Sequence, residues 1–401
     1  MSNSNNHKLL IKPDRSSYPK PDESGKLQVD LDSGKYVKVW HGPNHPGVTG
    51  NMSLELTLCG DEVVEAKTHV GYLHRGFEKI FERRTWMQCF PTVVRMCVPE
   101  PDSNEYNLAA SMEELSNVEV PEYAQWMRTL VLEMARISNL LRLLPAHGGT
   151  MGLGLGVQWG VYLRDLILDR FEELTGARIY HMYIIPGGVR GKMPDGFKKR
   201  LISNLDDIDD FLIRLKRLVI DNAVFKKRSI GTGYINPSWV DKYGIVGPNA
   251  RAAGYKRDVR KDNPYLIYDQ LDFEPYVDNE AASDIFSRTW VRFMDLKYGV
   301  EMIRQILDKM PNDGEILGKI PNALNWKIPT GQTYVRSESS RGEYGFFAVA
   351  DGSEYPRRIN LRGPSYTHAI ALLEKLLVNA NISDVSAIMV SLATCPPEIE
   401  R

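Results

Sequence analysis

Two short elements of the type Cys-x-Pro-Glu could carry thiol chemistry. They are Cys97-Val98-Pro99-Glu100 and Cys395-Pro396-Pro397-Glu398. With average usage of Pro and Glu, a given cysteine is followed in this way roughly once in several hundred cases. A thiolate is a nucleophile and a soft metal ligand, and a neighbouring carboxylate could move a proton. The alternative is that both thiols are buried apolar side chains, as free cysteines usually are.

The cysteine count limits what this chain could bind. Only four cysteines occur, at positions 59, 89, 97 and 395, and no two of them form a Cys-x-x-Cys pair. Four cysteines are too few for a disulfide framework, and without a Cys-x-x-Cys pair the chain is not expected to hold an iron-sulfur cluster or a structural zinc ion alone. We therefore expect no metal or cofactor to be held by this chain alone, and we expect Cys59 and Cys89 to be packing residues.

Composition excludes several classes of partner. Fifty basic residues against fifty-one acidic ones, without long like-charge runs, give no electrostatic footprint for nucleic acid. No run of eighteen apolar residues occurs, so no membrane span is predicted. The first 34 residues are polar and lack the apolar core of a signal peptide, which indicates a flexible extension on a cytoplasmic protein.

Hydrophobic periodicity predicts the elements that must position the cysteines. Alternating residues predict a small antiparallel sheet early in the chain and a hairpin late in it, and helical periods predict four long helices between them. The fold class is therefore α+β, with a long-helix bundle core and small antiparallel β regions near both ends. The expected divisions are 1–34 as the extension, 35–73 as the first β region, 74–330 as the helical core with an irregular segment at 229–280, and 331–401 as a hairpin, a helix and an active-site tail. The expected strands are 35–40, 52–58, 63–70, 333–349 and 355–361, and the expected helices are 121–141, 159–176, 195–225, 283–310 and 366–380.

Five blocks, in the same order along the chain, resemble the hallmark blocks of the 49-kDa (D) subunit of complex I and of the related nickel-iron hydrogenase large subunits. The resemblance covers about Tyr36 to Arg401. It implies a hydrogenase-large-subunit-like fold and an oxidoreductase of the respiratory chain. The blocks are Gly42-Pro43-Asn44-His45-Pro46, Gly71-Tyr72-Leu73-His74-Arg75-Gly76-Phe77-Glu78-Lys79, Thr175-Gly176-Ala177-Arg178, Pro186-Gly187-Gly188-Val189-Arg190 and Arg362-Gly363-Pro364-Ser365.

The resemblance allows two tests of the chemistry. Hydrogenases of this lineage hold nickel and iron with two Cys-x-x-Cys pairs, whereas Glu100 and Glu398 stand here at the second position of each pair. A nickel-iron centre needs four soft sulfur ligands, so hydrogen chemistry is disfavoured.

Quinone-reducing members use a histidine and a tyrosine at the positions of Thr49 and Val98, and valine offers no hydrogen-bond donor. Reduction of quinone by the usual mechanism is also disfavoured.

The pattern around the two cysteines is instead similar to the large subunit of archaeal membrane-bound sulfane reductases, also described as ferredoxin-linked oxidoreductases. This similarity implies that Cys97 and Cys395 face each other and reduce sulfane sulfur or polysulfide, with Arg95 nearby lowering a thiol pKa. Glu100 and Glu398 complete the expected catalytic set. One departure is Ala393-Thr394, where relatives commonly carry an acidic residue that could donate a proton.

Several ionisable residues in the matched blocks have two interpretations. His41, His45, His69, His74, Arg75 and Glu78 could relay protons from the reduced site toward a membrane partner. Alternatively, His69 and His74 cap or pair locally, and Arg75 and Glu78 form a structural i, i+3 ion pair. Arg362 resembles the arginine that overhangs the hydrogenase site, although Arg-Gly-Pro is also a reasonable surface turn.

The resemblance also implies partners. They are a small subunit carrying an iron-sulfur cluster, a ferredoxin-like cluster subunit, an accessory 30-kDa-like subunit and an ion-translocating membrane arm with antiporter-like subunits. The chain would then be peripheral, on the cytoplasmic face of the membrane. Two rival hypotheses stay open: a complex I-like D-type chain that reduces quinone or phenazine in a modified cavity, and a non-catalytic coupling subunit.

Overall fold

A computed structural model describes residues 31–45 and 52–401. The predicted extension at 1–34 therefore lies outside the described residues except for its last four positions, and so does Thr49. No helix among the described residues has the length and apolarity needed to cross a bilayer.

The first described part of the chain folds into a three-stranded antiparallel sheet, as predicted. Its strands are β1 Tyr36–His41, β2 Ser53–Cys59 and β3 Glu62–His69, in the order β1-β2-β3. Alternation decides which face is buried, because successive side chains of a strand point to opposite faces. Leu54, Leu56 and Val63 are fully buried.

Helices make up the middle of the chain. They are α1 Phe77–Phe81, α2 Phe90–Val93, α3 Pro101–Ser116, α4 Glu122–Gly149, α5 Gly154–Thr175, α6 Phe197–Leu215, α7 Ala223–Ser229, α8 Ser238–Tyr243, α9 Gly247–Ala252, α10 Val259–Asp262 and α11 Ile285–Lys309. Two short strands, β4 Ile184–Ile185 and β5 Gly188–Val189, pair between α5 and α6.

The four long helices form the centre of the molecule. α4 packs against α5 and α11, and α6 packs against the same two helices. Two of these helices begin with residues that are common at helix N-termini. Pro121 precedes α4, and the Asp284 carboxylate accepts a hydrogen bond from the backbone N–H of Ser287 at the start of α11.

The glycine-rich stretch between α4 and α5 is more helical than predicted. α5 begins at Gly154 rather than near residue 159, and α4 continues to Gly149. A side chain at Gly148 would meet Val219, and one at Gly149 would meet Val157. Close packing therefore outweighs the low helix propensity of glycine here. The predicted helix at 195–225 is also divided, because π-helical residues Lys216–Ile220 and a turn separate α6 from α7.

The C-terminal part contains a second three-stranded antiparallel sheet, of β6 Gly331–Ser339, β7 Gly342–Ala350 and β8 Pro356–Arg362. The prediction of one strand at 333–349 was wrong, because a tight turn at Ser340 and Arg341 divides it. Gly342 has φ +127°, which favours glycine, and a side chain there would overlap Val246 and Gly247.

The chain ends in short helices. After π-helical residues Thr367–Leu372 come α12 Leu373–Leu377, α13 Val385–Leu392 and α14 Pro396–Ile399. The predicted helix at 366–380 is thus the π-helical stretch followed by the short α12.

One hydrophobic core runs through both three-stranded sheets and the long helices, from Met52 to Ile399. The α+β class with small antiparallel sheets on either side of a helical bundle is confirmed.

Candidate functional site

Cys97 lies in the short connection between α2 and α3. Glu100 is the residue before the first turn of α3, and Pro101 opens the helix, where its missing N–H costs nothing. The connection turns the Cys97 side chain inward, leaving it 2% exposed, while Val98 is 37% exposed. The thiol is therefore buried directly beside a residue that reaches the surface.

Cys395 lies between the last two helices. α13 ends at Leu392, the next residue, Ala393, has a φ of 58° that reverses the chain, and Pro396 opens α14. The backbone N–H of Cys395 donates to Ser365 Oγ at 3.1 Å. The side chain is 5% exposed. Both Cys-x-Pro-Glu elements thus place a buried cysteine just before a helix that begins with proline.

The fold brings these two elements together. The sulfur atoms of Cys97 and Cys395 and a carboxylate oxygen of Glu398 all lie within 4.8 Å of one another, although the cysteines are 395 − 97 = 298 positions apart. Both cysteines are free thiols. The site is a buried pair of thiols with a carboxyl group in contact distance.

Arg341, from the turn between β6 and β7, lies in the middle of this site. Its Nη1 donates to Cys97 Sγ at 3.1 Å and also lies 3.3 Å from a Glu100 oxygen and 3.5 Å from a Glu398 oxygen. The side chain is 2% exposed. A buried guanidinium between two carboxylates and a sulfur stabilises negative charge on the thiol pair.

Glu100 is fixed on its other side by the same turn. Its carboxylate accepts hydrogen bonds from the backbone N–H of Ser340 at 2.8 Å and from the Ser340 hydroxyl at 2.7 Å. Asn139 of α4 donates to Glu100 at 3.3 Å and to Ser340 at 2.6 Å. These bonds fix the position of the Glu100 carboxylate, which forms one wall of the site.

Glu398 is held differently. Its Oε1 accepts a hydrogen bond from the backbone N–H of Ser365 at 2.8 Å, and a side chain at Gly363 would overlap this carboxylate. Its Oε2 accepts no hydrogen bond from the part of the chain that the structure describes. Burial raises the pKa of Glu398 to about 7, although the charge of Arg341 opposes the shift. This carboxyl group can therefore exchange a proton near neutral pH.

The two thiols share a proton. The pKa of Cys395 is lowered to about 6, mainly because Cys97 donates a hydrogen bond to its thiolate, with further help from Arg341, the backbone N–H of Glu398 and Arg142. The pKa of Cys97 is raised, first by the same hydrogen bond and then by burial. The pair therefore carries one negative charge at neutral pH and gives up its second proton with difficulty.

Two arginines predicted for the site donate their hydrogen bonds to backbone carbonyls. Arg95 is exposed, and its guanidinium donates to the carbonyl of Pro91 and lies 5.3 Å from the ring centre of Tyr180. Arg362 donates to the carbonyls of Glu343, at 3.2 Å, and Gly244, at 3.1 Å. Neither arginine donates to a thiol or to Glu398 in these contacts, and the predictions that Arg95 lowers the thiol pKa and that Arg362 overhangs the site stay predictions. Arg341, which sequence reasoning missed, is the arginine in contact with a thiol.

The block at residues 71–79 forms hydrogen bonds with the C-terminal tail. The backbone N–H of Leu73 donates to the Glu400 carboxylate, and His74 Nδ1 donates to the Glu400 carbonyl at 2.9 Å. Glu78 accepts hydrogen bonds from Arg358 at 2.5 Å and from Arg401 at 3.0 Å. These contacts hold the segment that carries Cys395.

The remaining predicted relay residues form local contacts. Arg75 donates to the Arg95 carbonyl at 2.9 Å, so the alternative of an ion pair between Arg75 and Glu78 is wrong. His69 pairs with Glu55 at 3.1 Å, and the rings of His41 and His45 stack 4.1 Å apart. A proton relay through these residues stays a prediction.

Two thiolates and a carboxylate at this spacing could also coordinate a soft metal ion. Arg341 places a fixed positive charge against one of the sulfurs, and that charge would repel a cation. The arrangement fits thiol chemistry better than metal coordination.

The fold and the meeting of an early and a terminal cysteine define the class of hydrogenase-like large subunits. The profile of the family described as "Respiratory-chain NADH dehydrogenase, 49 Kd subunit" matches residues 151–325 and 322–401. The chain belongs to this family, and it is a D-type subunit of a complex I-like oxidoreductase.

Individual relatives cover almost the whole chain. The D subunit of an NADH-quinone oxidoreductase from Thermosipho melanesiensis is 42% identical over 91% of this chain and 99% of its own length. The D subunit of an F(420)H(2) dehydrogenase from Methanosarcina mazei is 33% identical over 94% and 100%. Among solved structures, a chain of the membrane-bound sulfane sulfur reductase, an archaeal respiratory membrane complex, matches with 38% identity and a TM-score of 0.89, over 93% of this chain and 100% of that one.

Proposed function

We propose that this subunit reduces sulfane sulfur at the Cys97–Cys395 pair, using electrons from an iron-sulfur subunit of the same complex. The observation that carries the proposal is the buried contact of two free thiols, Glu398 and Arg341. The structural likeness to a chain of a sulfane sulfur reductase supports it.

The reaction balances as a thiol–disulfide exchange. The Cys395 thiolate attacks one sulfur of an S–S bond in the substrate, forming a mixed disulfide or persulfide and releasing one sulfur product as a thiolate or hydrosulfide. The Cys97 thiol then displaces the second product, which forms a Cys97–Cys395 disulfide and releases one proton. Two electrons and one proton return the pair to its starting state. In sum, one S–S bond and two electrons give two thiolates.

Each neighbouring group has a part in this cycle. Arg341 stabilises the negative charge that moves between the sulfurs, and Glu398 takes the proton released by Cys97 and supplies it again on reduction. Glu100 holds Arg341 in place through a 3.3 Å ion pair.

The same family resemblance supports an assembly with a small iron-sulfur subunit, a ferredoxin-like subunit, an accessory 30-kDa-like subunit and an ion-translocating membrane arm with antiporter-like subunits. In that assembly the chain is peripheral, on the cytoplasmic face. Isolation of the complex from its native membrane and identification of the co-purifying subunits tests this arrangement.

The function is tested by Cys97→Ser and Cys395→Ser in the purified complex, with reduction of polysulfide measured against oxidation of the electron donor. Both variants should lose sulfane turnover. Cys89→Ser is the matched control, because Cys89 is equally buried but lies in the hydrophobic core. Near-normal polysulfide reduction in both variants would contradict the proposal. Turnover of a quinone that survives both substitutions would favour the rival quinone or phenazine function.

A further inference from the structure

Two arginines, one on α4 and one on α5, form no ion pair within the described chain, and the first of them is linked to the thiol site. Arg142 of α4 is exposed, and its guanidinium donates only to Asn139 Oδ1, at 3.4 Å, within the described chain. Arg164 of α5 is half-buried, and among the described residues it forms no side-chain hydrogen bond or ion pair. Its neighbour in sequence, Asp165, is bound by Arg178 instead. Neither guanidinium therefore forms an ion pair within the part of the chain that the structure describes, although the charge of Asp165 opposes the desolvation that lowers the pKa of Arg164.

A close helix crossing fixes both arginines. A side chain at Gly160 of α5 would overlap the carbonyl of Leu141 on α4, so the two helices are in backbone contact there. Arg142 follows Leu141 directly, and Arg164 is one helical turn beyond Gly160. Desolvation of its guanidinium and the positive charges of Arg341 and Arg164 lower the pKa of Arg142, whereas the charges of Cys395 and Cys97 oppose that shift.

Arg142 is also close to the thiols. Its charge is among those that lower the pKa of Cys395, after the Cys97 hydrogen bond and Arg341. Asn139, which accepts its hydrogen bond, also donates to Glu100 in the wall of the site. The sulfurs are buried, whereas Arg142 and Val98 reach the surface. The Arg142 side chain therefore reaches the solvent at one end and is linked through Asn139 to Glu100 at the other.

We propose that Arg142 and Arg164 form an anion-binding entrance to the thiol pair, which selects sulfur chains that carry a terminal negative charge over neutral ones. The inference rests on the proposed function and names its substrate class. A guanidinium binds anions through a fork of N–H donors, and two such groups offset the repulsion between an anionic chain and the negatively charged thiol pair.

The kinetic test compares an anionic and a neutral substrate on the purified complex, inorganic polysulfide and dimethyl trisulfide. In the double variant Arg142→Gln, Arg164→Gln, kcat/KM for polysulfide should fall about 10- to 100-fold further than kcat/KM for the neutral trisulfide, because both substrates share any loss that comes from a higher pKa of Cys395. Arg217→Gln removes an exposed arginine that forms no side-chain hydrogen bond or ion pair within the described chain and should change neither value. An equal loss for both substrates, or no loss for polysulfide, would overturn the proposal.

A second measurement separates this proposal from the function itself. The reduced complex is treated with methanethiosulfonate reagents that carry a sulfonate or a trimethylammonium group, and modification of Cys97 and Cys395 is followed by peptide mass spectrometry. The sulfonate reagent should react at least about tenfold faster than the cationic one, and the double variant should lose this preference. Equal rates in the unmodified complex would overturn the anion-binding entrance. A clear preference together with normal turnover in the Cys→Ser variants would retain the entrance and reject sulfane reduction at the thiols.

Discussion

Arg341 donates a 3.1 Å hydrogen bond to the sulfur of Cys97, across 244 positions of the chain. This contact links the turn between β6 and β7 to the loop before α3. Because the same guanidinium also pairs with Glu100 and Glu398, one side chain joins both Cys-x-Pro-Glu elements. The geometry of the thiol pair therefore depends on a residue outside both elements.

Replacement of Arg341 by methionine should weaken the thiolate and slow turnover. Without the guanidinium, the pKa of Cys395 should rise from about 6 by at least about one unit, and sulfane turnover should fall about 100-fold. The pH dependence of alkylation of the thiol pair measures the pKa directly. Arg357→Met, at an exposed position of β8, is the control. An unchanged midpoint for alkylation would show that Arg341 does not hold the charge of the pair.

Glu398 should shape the pH profile near neutral pH. Turnover should rise as pH passes about 6, where the Cys395 thiolate forms, and again as pH passes about 7, where Glu398 becomes the carboxylate that accepts the Cys97 proton. Glu398→Gln cannot accept that proton, so it should turn over more slowly and lose the rise near pH 7, with Glu315→Gln at an exposed position as the control. Persistence of that rise in Glu398→Gln would assign it to another group.

The close crossing of α4 and α5 should tolerate no added side chain. Gly160→Ala places a methyl group against the carbonyl of Leu141 and should lower the free energy of unfolding by about 1–3 kcal/mol. Gly154→Ala is the matched control, because a side chain there meets no atom within 4 Å, and it should be neutral or slightly stabilising. Denaturant titration of the purified protein measures both. Equal stability of the two variants would argue against the contact.

Much of the fold could be predicted from hydrophobic period alone. The first sheet and the long helices α4 and α11 follow amphipathic patterns, and the two Cys-x-Pro-Glu elements identified the thiols. The boundaries of α5 and α6 could not be predicted, because tertiary contacts such as Gly148 with Val219 decide them.

Arg341 was missed for a physical reason. A charged residue in an alternating run is typical of the solvent face of a strand, and nothing local indicates that the chain turns there and buries the charge. Gly342, with its positive φ, was the available signal of a turn. In the block Arg362-Gly363-Pro364-Ser365, Gly363 and Ser365 lie against the Glu398 carboxylate, and no local pattern indicates which residues of the block do so.

The most direct test of the central claim is a single-turnover experiment on the reduced complex, with one equivalent of polysulfide and the electron donor withheld. Peptide mass spectrometry should find a disulfide between Cys97 and Cys395, or a persulfide on one of them, and the electron donor should reverse it. Cys59 and Cys89 should stay unmodified. If both Cys97 and Cys395 remain free thiols while polysulfide is consumed, the reaction does not take place at this pair.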